Sequence, residues 1–227
     1  MVLFPIKKVL IGIAAVLLAG IAALAVFVLT YSPDSRPVKE VTVDTSEEAV
    51  ERGAYLSQIY GCMHCHTERD WSYYSSKPAG PEGAGGMCLH KLDHEFPGVM
   101  CSSNLTSDKK SGLGSWTDDE ILRAIREGIS KDGRALFPMM PYEHFRSMSD
   151  KDAHALVAYL RTLAPVATTW PETDIDFPVS FFIKMAPEPI TKPISEPDRS
   201  TPAALGKYLT TVGGCKGCHS PVDDKHQ

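Results

Sequence analysis

The sequence predicts an all-α chain: an N-terminal transmembrane helix, a helical domain, a proline-rich linker and the start of a second domain that repeats the first. Three observations carry that expectation. A long apolar run sits near the amino terminus, several later stretches have apolar residues at helical spacing behind a capping residue, and no sustained alternation of apolar and polar residues marks a half-buried strand.

Val9 to Leu29 contains no charged or strongly polar residue. At about 1.5 Å per residue this run makes a helix of roughly 31 Å, the thickness of one hydrocarbon core. A cleavable leader has a shorter apolar region. Cleavage after the Ala23-Leu24-Ala25 triplet would leave Val-Phe-Val-Leu at the new terminus, so the run reads as a retained anchor. Lys7 and Lys8 precede it, which places the amino terminus in the cytoplasm and everything after Tyr31 outside. Residues 1–31 are therefore the cytoplasmic terminus and anchor. Residues 32–46, polar and broken by Pro33 and Pro37, read as a tether.

From Glu47 the pattern is helical, with Ala49, Arg52/Gly53, Leu56 and Ile59/Tyr60 recurring at threes and fours up to Gly61. Immediately after comes Cys62-Met63-His64-Cys65-His66. Two thiols at this spacing can each add to a vinyl group of haem, and the adjoining imidazole can ligate the iron, so the pentapeptide reads as a c-type haem attachment site. The motif recurs as Cys215-Lys216-Gly217-Cys218-His219. The residues before each copy also agree: Gly53/Gly206, Tyr55/Tyr208, Leu56/Leu209 and Gly61/Gly214 match at one constant offset of 153. An internal repeat of that period is a domain duplication.

Between the motifs, Arg69 to Gly114 is rich in Gly, Pro, Ser and Asn and reads as long loop, unusual in a compact domain unless something packs it. Thr117 to Glu120 is a capping box at a helix start, with Ile121, Ala124/Ile125 and Gly128/Ile129 as its apolar stripe. A proline-bounded loop, Pro138-Met139-Met140-Pro141, leads to a second capped helix beginning at Ser149, whose buried face is Ala153, Leu156/Val157, Leu160 and Leu163. That closes a first domain over 47–165. A linker over 166–200 carries the prolines and an apolar stretch, Phe177 to Met185, read as a strap across a domain surface and too short to span a membrane. Residues 201–227 restart the haem-binding helix as an incomplete second domain.

The four motif cysteines have competing uses. Zinc knuckles sit about 15–20 residues apart and a thioredoxin-like pair needs a βαβ context; neither condition holds. Cys88 and Cys101 lack that spacing, and outside the cytoplasm their expected fate is a disulfide. The six histidines outside the two motif-closing positions (His64, His90, His94, His144, His154 and His226) have no paired ligand spacing. A net charge of −5 argues against a nucleic-acid partner.

A sixth ligand for the first iron is sought among Met87, Met100, Met139, Met140 and Met148, with His90, His94 and His144 as alternatives. Met139 and Met140 are favoured because a loop bounded by prolines can hold a ligand rigidly. A thioether there would raise the reduction potential.

With its motifs assembled (Asn104-Leu-Thr, Gly114-Ser-Trp-Thr-Asp-Asp-Glu, Leu136 to Tyr142, and Met148 to Arg161), the chain from about 49 to 227 resembles membrane-anchored diheme cytochromes of the class I cytochrome c fold. These include cytochrome subunits of bacterial periplasmic dehydrogenases. The resemblance implies haem c, and it makes the methionine directly before the proline, Met140, the distal ligand. It also implies Trp116 near a haem propionate, although a core aromatic accounts for that residue equally well. The implied activity is single-electron transfer on the periplasmic side of the bacterial inner membrane, between a donor such as a dehydrogenase or oxidase complex and a downstream acceptor. The chain would then be a carrier, not an enzyme. Cys62 and Cys65 would hold the first haem, with His66 and Met140 on its iron; Cys215, Cys218 and His219 would serve the second. The second motif has no room for the rest of a domain, so either missing sequence or another subunit completes it, or the site is open or vestigial. An open second haem would suit a peroxidase-like enzyme, the alternative function.

Overall fold

The computed structural model describes residues 6–72, 74, 76–90 and 96–220. His94, considered above as a ligand, and His226 lie outside the described residues. The chain divides into two units, Met1–Ser32 and Pro33–Gln227. In the first, helix α1 (Ile6–Thr30) carries Lys7 and Lys8 in its first turn and is apolar from Val9 to Leu29. Its Lys7–Thr30 stretch, with a mean hydropathy of 2.8, is long and apolar enough to cross a membrane, a test that a signal sequence also passes.

The second unit is built on helices α2 (Glu47–Ile59) and α6 (Asp150–Thr162). They cross where Gly53 meets Ala155: a Cβ on Gly53 would stand 2.0 Å from the Ala155 carbonyl oxygen. Only a residue without a side chain lets the backbones approach this closely. Between the two helices in sequence lie α3 (Cys62–Cys65), α4 (Asp118–Glu127) and α5 (Tyr142–Phe145). The expected capping box of α4 is present: Thr117 accepts from the Glu120 N–H while the Glu120 carboxylate accepts from the Thr117 N–H. Ile121, Leu122, Ile125, Leu156, Val157 and Leu160 form the core these helices share.

The chain is not purely helical. Five short strands are present among the described residues: β1 (Arg69–Asp70) with β2 (Lys77–Pro78), and a three-stranded antiparallel sheet of β3 (Cys88–His90), β4 (Gly98–Cys101) and β5 (Asp174–Ile175). Four of them fall in the stretch read as loop. Strands of two to four residues are too short for a period-two pattern to register, and a cross-link supplies what length does not. Cys88 and Cys101 are register partners and form the expected disulfide. The outer strand β5 comes from the proline-rich segment, which is therefore a pairing element as well as a strap.

That strap is fastened along its length. Asn104 donates to the Val166 carbonyl, the Trp170 indole N–H donates to the Ala84 carbonyl, and the Asp150 N–H donates to the Ile194 carbonyl while the Ile194 N–H donates to the Asp150 carboxylate. The segment read as a tether is also seated on the domain from Arg36 onward. Arg36 makes a two-pronged bond to Asp119 at 2.7 and 2.8 Å and a third bond to Glu127 at 2.9 Å. The Lys39 and Val43 N–H groups donate to Asp119 and Asp118.

Helix α7 (Val179–Phe182) follows β5. Helix α8 (Pro202–Val212), the repeat of α2, lies against the first domain: Val212 is fully buried in its core and Tyr208 reaches Asp152. Asp152 itself has no exposed surface. It receives Arg52 from α2 at 2.8 and 2.7 Å and the Tyr208 hydroxyl from α8 at 2.9 Å. Burial works against its charge, but the bonds from Arg52 and Tyr208 outweigh burial and hold its pKa below the ordinary carboxylate value.

A carboxylate with a depressed folded pKa contributes stability that is present above the unfolded value near 4 and is lost as pH falls through the folded one. Asp152→Asn is therefore expected to cost about 3 kcal/mol at neutral pH, as for a broken buried pair, and progressively less below about pH 4. Urea unfolding across that range checks it; a pH-independent cost would refute the linkage. Replacing Cys88 and Cys101 together by serine should lower stability by about 3 kcal/mol, from the freedom returned to a loop of roughly 14 residues. The same unfolding experiment reads it.

Candidate functional site

Helix α2 stops at Tyr60, and Gly61 takes a left-handed conformation (φ 68°, ψ 25°) that turns the chain into the single turn of α3. Cys62 and Cys65, three apart on that turn, share one face. The His66 N–H donates to the Cys62 carbonyl, closing the turn. The His66 ring is oriented by its Nδ1, 2.7 Å from the Ser103 carbonyl oxygen. A carbonyl only accepts, so Nδ1 carries the proton and Nε2 keeps its lone pair, the arrangement of a metal-ligating histidine. Burial pushes the His66 pKa down, which favours the neutral ligand form. Burial also raises the thiols, Cys62 to about 11 and Cys65 in the same direction.

Cys62, Cys65 and His66 line a cavity of about 380 Å³ together with Met139 and Met140 from the proline-bounded loop. Ile121, Ile125, Leu156 and Leu160 give it an apolar lining from α4 and α6. The volume is in the range of small-molecule sites. The structure thus brings Cys62, Cys65, His66 and Met140 to one space. Met139 is 45% exposed, whereas Met140 is half-buried and packs on the core. Met87 and Met100 also line the cavity, while Met148 is buried in the core away from it. Among the described residues lining it, His66 is the only imidazole; His90 and His144 are elsewhere. Trp116 both lines the cavity and packs on the core, so its two readings coincide.

The loop that carries Met140 is tied at both ends. Its N–H donates to Phe137 and its carbonyl accepts from Tyr142. Leu136 donates to Gly128, the left-handed cap of α4. A Cβ on Gly128 would stand 2.7 Å from carbons of the buried Tyr142 ring, so α4 and the methionine loop interlock there. Sequence reasoning missed Arg134, the only Lys, Arg, Asp or Glu among the described residues lining the cavity, and Tyr60, Phe137 and Thr173. Arg134 lies in an unremarkable polar turn, and nothing in its local spacing signals a role. Tyr60 sat in plain view as the last helical residue before the motif.

Among the described residues no three His, Cys, Asp or Glu side chains converge on a metal position. The two Cys-x-x-Cys knuckles therefore do not form the zinc site considered from sequence. An imidazole and a thioether lining one cavity with two thiols suit a metal carried in a macrocycle, and the apolar walls suit the macrocycle.

A cytochrome c family model matches residues 50–164. The chain belongs to the cytochrome c family. Its domain therefore implies haem c as cofactor, and the cavity fits one. The cytochrome c subunit of a quinone-dependent alcohol dehydrogenase from Gluconobacter oxydans is 32% identical over 78% of this chain and 36% of its own length. The cytochrome c subunit of a gluconate 2-dehydrogenase from Pantoea cypripedii is 33% identical over 78% of this chain and 39% of its own length. A diheme c-type cytochrome from Cereibacter sphaeroides is 29% identical over 92% of the chain and 68% of its length. The chain thus spans less than two fifths of the two dehydrogenase subunits.

The second motif of this cytochrome reproduces the backbone of the first. Gly214 is left-handed (φ 65°, ψ 18°) before the turn of α9 (Cys215–His219), as Gly61 is before α3. A Cβ on Gly214 would stand 2.4 Å from the His144 ring, so this motif begins against the first domain. Cys215, Cys218 and His219 are exposed.

Gly128→Ala should be destabilising by about 1–3 kcal/mol, because the left-handed backbone disfavours a Cβ and the Tyr142 ring occupies its space. Denaturant unfolding of the variant measures this, and parent-like stability would show that the interlock does not constrain the loop.

Proposed function

We propose that this chain is a membrane-anchored, extracytoplasmic c-type cytochrome that carries single electrons as the electron-transfer subunit of a dehydrogenase complex, not as its catalytic component. The observation that carries the proposal is the convergence of Cys62, Cys65, His66 and Met140 on one apolar cavity. In this reading Cys62 and Cys65 would attach haem c, and His66 and Met140 would ligate its iron. The bound haem supplies a one-electron couple between ferric and ferrous iron. The protein's own residues do the rest: Ser103 fixes the His66 tautomer, Gly128 and Tyr142 hold the methionine loop, and the walls from α4 and α6 exclude water. With His66 and Met140 both given to the iron, the chain would offer no metal position to a substrate.

The domains follow: anchor 1–31 in the bacterial inner membrane, a connecting segment 32–46, a first cytochrome c domain 47–165 on the periplasmic side, a linker 166–200, and the opening of a second domain 201–227. Cys215, Cys218 and His219 would hold a second haem, completed by further sequence or by another subunit. The glycines of the repeat support this. Gly53 is sealed against Ala155, whereas among the described residues no atom comes within 4 Å of a Cβ on its counterpart Gly206. The relatives named as dehydrogenase subunits support an electron donor of that class.

Met140→Ala should convert the first haem to a high-spin, ligand-accessible form and remove the absorption band of a sulfur–iron bond, while Met139→Ala leaves both unchanged. Optical spectra of the purified ferric proteins distinguish the two. A low-spin, methionine-ligated spectrum in Met140→Ala would assign the ligand elsewhere.

A further inference from the structure

The Cys88–Cys101 cross-link stands at one end of a ladder of hydrogen bonds that finishes at His66. Its two cysteines are register partners in the hairpin of β3 and β4. The next rung is made twice. The Ser102 N–H donates to the Met87 carbonyl at 2.9 Å, and the Met87 N–H donates to the Ser102 hydroxyl at 2.9 Å. The Gly86 N–H then donates to the Ser102 carbonyl at 3.1 Å. Gly85 follows with φ 78°, packed on the peptide that joins Ser103 to Asn104. A Cβ there would stand 2.5 Å from the Ser102 oxygen and 2.9 Å from the Ser103 carbonyl carbon, an approach that only glycine permits.

The two strands of this ladder end on the same residue. From one, the Gly85 N–H donates to the His66 carbonyl at 2.9 Å; from the other, the Ser103 carbonyl accepts from His66 Nδ1 at 2.7 Å. His66 is thus held by its backbone and by its ring, between two strands that a covalent bond joins a few residues away. Cys101, Ser102 and Ser103 line the cavity beside His66, so the ladder runs along its wall. Beyond Ser103 the strand is tied again, by the Asn104 side chain donating to the Val166 carbonyl. Loss of the disulfide therefore frees one side of Ser103 and leaves the other attached. A hydrogen bond to the second ring nitrogen of a metal-bound imidazole fixes the ring and raises its basicity. Such bonds weaken steeply with poor alignment, and they are one of the levers on a haem potential.

We propose that the Cys88–Cys101 disulfide is a positioning element for the proximal ligand, acting through the Met87–Ser102 rung and the Ser103–His66 bond to set the reduction potential of the first haem. It rests on the reading of Cys62, Cys65 and His66 as a haem site. The direction of its effect is specific. A looser Ser103 bond leaves the imidazole less basic, which favours ferrous iron and raises the potential. Water admitted by a general loosening favours the more highly charged ferric iron and lowers it.

Potentiometric titration of the haem-loaded full chain in detergent tests the proposal. Cys88→Ser/Cys101→Ser, which introduces no charge, should move the equilibrium toward ferrous iron by about tenfold, 59 mV for one electron. Ser102→Ala keeps the disulfide and removes one bond of the rung. It should give a smaller shift of the same sign, and it carries the test if the double variant does not fold. In isotope-labelled ferrous protein the His66 Nδ1 proton should exchange with solvent faster in each folded variant than in the parent. A parent-like or lowered potential, or parent-like exchange at Nδ1, overturns the proposal. The mass of the purified parent judges the haem reading separately: a chain without haem on Cys62 and Cys65 overturns that reading, while exchange at Nδ1 still tests the positioning.

Discussion

The architecture depends on one buried carboxylate. Asp152 lies in the first turn of α6, and its two oxygens are taken by Arg52 of α2 and Tyr208 of α8. Its own N–H is capped by Ser149, whose N–H in turn donates to Tyr208. Two helices that form the floor of the domain and a third that opens the repeat are thus fastened at one point. A buried charge is tolerable only when it is fully paired, so the three helices cannot shift independently without leaving Asp152 or Arg52 uncompensated. The position of the second haem motif relative to the first domain follows from this constraint together with Val212 and the Gly214–His144 contact.

A second constraint acts through glycines without side chains. Gly53 sets the distance between α2 and α6, and Gly128 sets the seat of Tyr142 beneath the methionine loop. The first contact places Cys62 at the end of α2, and the second presents Met140 from beyond α4. Both residues line the same cavity because two close backbone approaches locate the elements that carry them. The core residues Ile121, Ile125, Leu156 and Leu160 line that cavity too. The cavity is therefore a neighbour of the core, and Met87, Met100, Leu105 and Leu113 from the loop-rich stretch line it as well.

What was legible in the chain follows from how local each signal is. The caps at Thr117 and Ser149, the two Cys-x-x-Cys-His turns and the apolar run of α1 are each written within a few consecutive residues, and each stands where expected. The strands were not legible, because β3 and β4 are held by a cross-link and β5 is contributed from more than seventy positions away. Arg36 looked like part of a tether because its partners, Asp119 and Glu127, lie 83 and 91 positions downstream. Met87 and Met100 looked like neighbours of a disulfide, and they are; the same hairpin turns them toward the cavity, which no spacing rule reveals. Among the cavity residues, Cys62, Cys65, His66 and Met140 could be singled out by motif chemistry, whereas tertiary contacts decide the walls.

The repeat invites the view that the two haem motifs are equivalent, and the backbone at Gly61 and Gly214 is nearly superimposable in its dihedral angles. The surroundings differ in a way that the same glycine pair measures. Helix α2 is covered on its Gly53 face by α6, so its motif opens into a cavity with donors from the far side. Helix α8 uses Tyr208 and Val212 to hold the first domain and leaves Gly206 uncovered among the described residues. Gly53 thus sits at a helix crossing, whereas Gly206, its counterpart at the same offset as the two motifs, has no atom within 4 Å of a Cβ among the described residues. Equivalent local backbone at the two motifs therefore goes with different tertiary surroundings.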